Sequence, residues 1–189
     1  MNEKDWTLLT ALAAEKNLTR AAQRLYVTQP AVTRRIQQIE RELNCAIVVR
    51  GARGVELSAE GEALARYAAE ELQRLQALRE LRRHYGVYML SNTNPIMWNS
   101  FIAGQFRQEG LEINDYFDGI VTSFESKCMK PSAHIFDHAA ETLKIKPSET
   151  LFLDDAEVNC RAAEALGWHA ALVAPGHEFM EVLHERKLV

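Results

Sequence analysis

The sequence predicts an α/β chain built in two parts: a winged helix-turn-helix with a long trailing helix, then a Rossmann-like parallel α/β domain. Two patterns and one charge asymmetry carry that expectation. In the front half apolar residues recur at helical spacing, as at Val32, Ile36, Ile39 and Leu43. In the back half the apolar runs 87–90, 119–123, 150–155 and 170–174 alternate with helical patterns, the order of a parallel sheet. Residues 1–85 hold fourteen Lys and Arg against eleven Asp and Glu, and residues 86–189 hold eight against fifteen. A net charge of −4 therefore conceals a basic front and an acidic back.

The front elements follow in close order. Trp6, Leu9 and Ala13 mark a first helix that stops at Asn17, and Thr19 is the expected N-cap of a second over "RAAQRL". Thr28 is expected to cap a third helix with Pro30 in its first turn, where a missing N–H costs nothing. The stripe of Val32, Ile36, Ile39 and Leu43 is expected to face the core. The opposite face presents Gln29, Thr33, Arg34 and Gln37, side chains that hydrogen-bond base edges in a major groove, Arg to guanine and Gln to adenine. Seven Arg against two Glu within residues 18–53 add charge that suits phosphates. "AIVV" (46–49), the basic turn "RGARG" (50–54) and "VEL" (55–57) then read as a two-stranded wing. The partner these features suit is double-stranded DNA.

The stretch "LTRAAQRLYVTQPAVTRRIQQIERELNCAIVVRGARGVELSAEGEAL" resembles the winged helix-turn-helix of LysR-type transcriptional regulators, with the likeness running from residue 5 to about residue 65. The resemblance places Gln29, Pro30, Thr33 and Arg34 in the major groove and brings Arg53 of the wing to the backbone or minor groove. With Thr28 and Gln37 these make the expected DNA-binding set. Asn44 stands where that family usually has glycine, and Asn tolerates the same left-handed backbone. Ser58 caps a long helix in which Leu64, Ala68, Leu72 and Leu75 fall near a repeat of about 3.5 residues. The resemblance implies a homodimer through residues 58–84; a helix packed on its own chain is the alternative.

In the back half Ser91, Asn92, Asp154 and Asp155 fall at strand ends, where ligands of such sheets gather. These residues suit phosphoryl chemistry: Ser91 to hold phosphate oxygens, Lys130 to neutralise them, and the two aspartates to hold Mg2+. Taken singly, a strand-end Ser is usually a cap and a Lys before Pro a surface residue. "YMLSNTN", "KCMKPSAHIF" and "LFLDDAEVNCRAAEALGW" together resemble motifs two, three and four of haloacid dehalogenase-like hydrolases, over residues 80 to about 177. By that resemblance Ser91 and Asn92 bind phosphate, Lys130 steadies it, and Asp155 leads metal binding with Asp154 beside it. Asn159 occupies a place often acidic.

The family's first motif is an Asp-x-Asp-Gly segment ending a strand, which supplies the nucleophile and the general acid/base. No such segment occurs here; in "YFDGIV" (116–121), the nearest approach, Tyr116 stands at the nucleophile's place. The α/β domain is therefore expected to be incomplete. No catalytic residue, a vestigial phosphate site at Ser91, Asn92 and Lys130, no required cofactor and at most a weak Mg2+ site at Asp154 and Asp155 follow. The strands ending at Ser91 and near Asp154 are expected to close up and pair directly, since orphan backbone groups in a core are expensive.

Cys45, Cys128 and Cys160 form no C-x-x-C pair and read as packing residues in a reducing compartment. His134 and His138 stand four apart on a helix pattern, without an evident third ligand. No run of about eighteen apolar residues and no apolar signal core occurs, which points to the cytoplasm and away from membranes. The expected domains are a DNA-binding domain (1–57), a linker and dimerisation helix (58–84) and a truncated hydrolase-like domain (85–189). The leading function is a sequence-specific DNA-binding regulator carrying an inactive hydrolase-like domain. The alternatives are a Mg-dependent phosphatase and a hybrid whose back half has no function; the absent Asp-x-Asp weighs against the phosphatase.

Overall fold

The computed structural model describes residues 1, 3–51, 54–106 and 111–189. The chain divides into two compact units, Met1–Glu80 with Gly104–Ile113, and Leu81–Ala103 with Asn114–Val189. The first opens with three helices, α1 (Glu3–Glu15), α2 (Leu18–Arg24) and α3 (Gln29–Leu43). Their apolar faces, among them Trp6, Leu9, Leu12, Ala21, Val32, Ile36 and Ile39, make one buried core. Leu43 departs from the expected stripe and is 44% exposed. It lies in the last turn before Asn44, whose φ of 52° and ψ of 40° end α3 in the left-handed region, beyond the packed part of the helix.

The cap of α2 also differs from expectation. Asn17 rather than Thr19 fills that role, because its side-chain oxygen accepts the Arg20 N–H at 3.0 Å, and Thr19 lies inside the first turn. Thr28 holds the N-cap position of α3 with extended backbone, but its hydroxyl makes no capping bond. Pro30 sits in the first turn of α3 as expected.

The wing is an antiparallel pair, β1 (Val48–Gly51) and β2 (Gly54–Leu57), with Val48 opposite Leu57. Pairing starts later than the 46–49 run suggests because Glu40 accepts the N–H groups of Ile47 and Val48 at 2.8 and 3.2 Å, drawing them toward α3. Arg53 lies outside the described residues. Helix α4 (Ala59–Leu81) is capped by Ser58, whose Oγ accepts the Gly61 N–H at 2.9 Å and donates to the Ala46 carbonyl. Gly61 is required there: a Cβ at this position would lie 2.1 Å from the Ile47 carbonyl oxygen. Gly61, Ala65, Ala68 and Leu75 are buried within the single chain, and Tyr67 stands edge-on to Trp6 with ring centroids 6.4 Å apart. Part of the expected dimer seam is thus buried within the single chain, with Leu64, Leu72 and Leu78 half-buried.

The second unit contains two parallel ladders. β3 (Tyr88–Ser91) pairs with β4 (Gly119–Thr122), and β5 (Leu151–Asp154) pairs with β6 (His169–Leu172). Helices α5 (Ala133–Leu143) and α6 (Glu157–Ala165) pack on the ladders and on each other, and α7 (Phe179–Glu185) follows β6. Residues 95–105 are helical with a π turn at Trp98–Ile102. Val121, Ile135, Phe136, Phe152, Ala163 and Trp168 share one core. Phe136 is its centre, edge-on to Phe152 at 5.3 Å and to Trp168 at 5.9 Å between centroids.

The expected direct pairing of β3 with β5 does not occur; the ladders remain separate two-stranded sheets. The cause lies in the core. α5 packs on β4, α6 packs on β5 and β6, and the two helices meet, so the helix layer fixes the spacing of the strands beneath it. Closing the ladders would force Phe136, Phe152 and Trp168 into less volume, and overpacking of that kind is itself destabilising.

Candidate functional site

The exposed face of α3 is the first candidate. Val32, Ile36 and Ile39 turn inward, so Thr28, Pro30, Arg34 and Gln37 are exposed and Gln29 and Thr33 half-exposed. Gln29 donates to the Thr33 hydroxyl at 2.9 Å, which holds both polar ends in one place. Between the two faces stands Arg35, which grips the fully buried Asp5 of α1 through Nε and a second guanidinium nitrogen at 2.5 and 2.6 Å. The Asp5 hydrogen bond is the main influence raising the Arg35 pKa, and the two-point contact fixes α3 on α1. Of the expected set, six residues fall on or beside this face, and Arg53 lies outside the described residues.

The second candidate lies at the C-terminal ends of β3 and β5. Lys130 is its hub: its ammonium donates to the Leu90 carbonyl at 2.9 Å and to Asp154 at 2.6 Å, and stands 5.4 Å from the Phe152 ring centre. Asp154 also accepts from the Asn159 amide at 2.8 Å and the Ala156 N–H at 2.9 Å. Burial opposes ionisation of Asp154, but the Lys130, Asn159 and Ala156 donors outweigh it and hold the carboxyl below its ordinary range. Asn92 clamps the Lys130 backbone, donating to its carbonyl at 3.0 Å and accepting its N–H at 2.8 Å. Ser91 ends β3, half-exposed, and Asp155 is exposed beside Asp154. The structure therefore brings Asn92, Lys130 and Asp154 together, with Ser91 and Asp155 next to them in the chain, and Lys130 and Asp154 largely neutralise each other.

Two further residues shape this site. Ser123, buried at the end of β4, donates to the Thr93 carbonyl at 2.8 Å and accepts the Thr93 N–H at 3.0 Å, pinning the 91–94 loop. Its place directly after the apolar run "GIVT" was the one available signal. Asn159, reached from α6, is buried and serves Asp154. A magnesium ion fits these donors poorly. A hard cation takes about six oxygens, whereas Asp154 is already surrounded by donors and only Asp155 presents an exposed carboxylate. Among the described residues no group of three His, Cys, Asp or Glu is placed to hold a metal, His134 and His138 included. No helix among them is long and apolar enough to cross a membrane.

Residues 4–62 match the model of the bacterial regulatory helix-turn-helix protein, lysR family, and residues 67–173 that of the haloacid dehalogenase-like hydrolases. A D-ribitol-5-phosphate phosphatase of Bacteroides thetaiotaomicron is 34% identical over 113 residues, covering 60% of this chain and 55% of its own length. An uncharacterised HTH-type transcriptional regulator of Bacillus subtilis, YraN, is 41% identical over 76 residues, covering 40% of this chain and 26% of its own. The chain thus spans about half, or less, of these curated relatives. Among solved structures, the HAD family enzyme bt-2542 of B. thetaiotaomicron, in complex with magnesium and inorganic phosphate, is 36% identical. It covers 59% of this chain and 56% of its own, with a TM-score of 0.56. The unpaired ladders and strand-end cluster are therefore part of a known fold: the chain belongs to the haloacid dehalogenase-like hydrolases, and its residues 4–62 are similar to the lysR-family helix-turn-helix.

Proposed function

We propose that this chain is a sequence-specific DNA-binding transcriptional regulator whose hydrolase-like half is catalytically silent. The exposed polar face of α3, with Arg34 and Gln37 opposite a buried apolar stripe, is the observation that supports DNA reading most directly. Residues 1–57 act as the DNA-binding domain, 58–84 as linker and 85–189 as the hydrolase-like domain, in a cytoplasmic protein. Arg34→Ala is expected to weaken binding to a preferred duplex by about 1–3 kcal/mol and to relax base preference at one position. Gel-shift titrations of wild type and variant check this. The proposal fails if no duplex is retarded at low salt by a folded chain.

The reading includes a homodimer, addressed to two half-sites. Leu64, Leu72 and Leu78 are the half-buried leucines of α4, the apolar side chains we assign to a partner copy. Leu72→Lys is expected to give monomers, measured by sedimentation at tens of micromolar, on the order of concentrations where weak dimers still form. A monomeric wild type at that concentration refutes it.

Silence of the hydrolase-like half rests on two observations: no Asp-x-Asp segment occurs in the sequence, and Asp154 is engaged by Lys130, Asn159 and the Ala156 N–H. Without a nucleophilic carboxylate the covalent phosphoaspartyl route is closed. Bound Mg2+ would supply charge neutralisation to a phosphate, with Asp155 the residue to meet it. Its binding is expected to be weak. The second reading, a phosphatase, draws support from the likeness to the D-ribitol-5-phosphate phosphatase. Aryl phosphate hydrolysis with Mg2+ decides between them: silence predicts a rate equal to that of Asp155→Ala, and a clear excess over that control favours the phosphatase.

A further inference from the structure

The turn between α2 and α3 carries a side chain that its own unit does not use. Tyr26 is 98% exposed, and its hydroxyl has no hydrogen-bond partner among the described residues. The other exposed tyrosines are each half covered and engaged. Tyr67, 47% exposed, stands edge-on to Trp6, and Tyr85, 48% exposed, donates to the Leu188 carbonyl at 2.6 Å. Tyr26 also has a left-handed backbone, with φ at 55°. A Cβ disfavours that conformation, and Gly or Asn adopts it more readily.

The turn closes without the tyrosine side chain. The Leu25 N–H bonds the Ala21 carbonyl at 3.1 Å, the Tyr26 N–H the Gln23 carbonyl at 3.1 Å, and the Val27 N–H the Ala22 carbonyl at 3.0 Å. All three bonds are backbone to backbone. Folding therefore gains no burial from the ring and no bond from the hydroxyl, so their use lies outside the chain. Val27 and Thr28 beside it are exposed too, and the Thr28 hydroxyl makes no capping bond, which leaves the whole turn open to a ligand surface.

The position of the turn selects that surface. When a helix-turn-helix docks, its second helix enters the major groove and its first crosses the sugar–phosphate backbone. Tyr26 stands between the two, after α2 and two positions before the N-cap of α3. Gln29, Thr33, Arg34 and Gln37 of α3 face the bases, so the turn ahead of them passes the phosphates at the groove's edge. Tyrosine is among the side chains that donate to phosphate oxygens.

We propose that Tyr26 is a further DNA-binding residue, whose hydroxyl donates to a backbone phosphate oxygen beside the groove that α3 enters. The inference rests on the DNA-binding reading and adds to it a contact from an uncharged side chain. Such a contact fixes register and orientation on the duplex and reads no base. A neutral donor displaces no condensed counterion, so it raises affinity without steepening the salt dependence.

The test uses the full chain, a duplex that wild type enriches from a random-sequence pool, and an unrelated duplex of the same length. Tyr26→Phe keeps the ring and removes the donor. It is expected to weaken binding to both duplexes by about five- to ten-fold, the worth of one hydrogen bond, with the slope of affinity against salt unchanged. Arg34→Ala, by contrast, should weaken the enriched duplex more than the unrelated one. Single methylphosphonate replacements along the enriched duplex locate the contact: at one phosphate the replacement should weaken wild type about five-fold more than it weakens Tyr26→Phe. Equal binding by wild type and Tyr26→Phe, a loss confined to the enriched duplex, or no phosphate that distinguishes the two proteins overturns this inference alone. A wild type that enriches no duplex overturns the DNA-binding reading, and this inference with it.

Discussion

Replacing Arg35 by alanine is expected to destabilise the N-terminal unit by about 3–5 kcal/mol, the usual cost of leaving one member of a buried ion pair behind. The asymmetry of the pair sets the direction of the effect. Asp5 is fully buried, whereas the Arg35 side chain is 29% exposed. Without Arg35 a carboxylate loses its bidentate partner in a core made of Trp6, Leu9 and Ile36. Without Asp5 the guanidinium can turn toward water and toward Glu42, 3.6 Å away. Asp5→Ala should therefore cost less than Arg35→Ala. Urea titrations followed by Trp6 fluorescence, in a background with Trp98 and Trp168 replaced by Phe, measure both, and equal losses would count against the argument. Because α3 carries the candidate DNA face, the Arg35 variant should also lose DNA retardation at temperatures where wild type binds.

Lys130→Ala is expected to remove about 3 kcal/mol from the second unit, at the low end of the range for a broken buried pair. The side chains are 10% and 5% exposed, so neither charge has ready recourse to solvent. Asn159 and the Ala156 N–H remain on Asp154 and keep the loss from being larger. The pH dependence gives an independent check. Asp154 titrates below its ordinary range when folded, so its contribution to stability is present above the unfolded value of about 3.9 and is lost as pH falls through the folded value. Part of the wild-type stability should therefore disappear as pH falls below about 4. Lys130→Ala removes a main cause of the depression, so its stability should be lower at neutral pH and change less over that acid window. Thermal unfolding from pH 7 to pH 3 compares the two proteins.

Much of this architecture was legible because it rests on local chemistry. Pro30 in the first turn of α3, Ser58 at the cap of α4 and left-handed Asn44 each follow from one residue and its neighbours. The cap of α2 was misplaced for the same local reason: Asn17 and Thr19 are both good caps, and only the Arg20 N–H geometry chooses. The strand-end cluster was readable as residue types, but its electrostatics were not. That Lys130 faces Asp154 rather than open solvent depends on the clamp between Asn92 and the Lys130 backbone, a contact across 38 positions. The separation of the ladders was hidden for a further reason. The cost of orphan backbone edges is a local quantity, whereas the resistance to closing them comes from Phe136 and its neighbours on other elements.

The position of Phe136 makes the second unit optically separable. Its ring touches Phe152 on β5 and Trp168 just before β6, while its helix packs on β4. Side chains, with no shared backbone ladder, therefore hold the two halves of the sheet together. Loosening that aromatic joint would leave each ladder's own hydrogen bonds in place, so far-ultraviolet circular dichroism would scarcely register it. The near-ultraviolet band of Trp168, which depends on a fixed asymmetric environment, would collapse first. With Trp6 and Trp98 replaced by Phe, the aromatic spectrum would report the union of the ladders, and the amide spectrum only their survival.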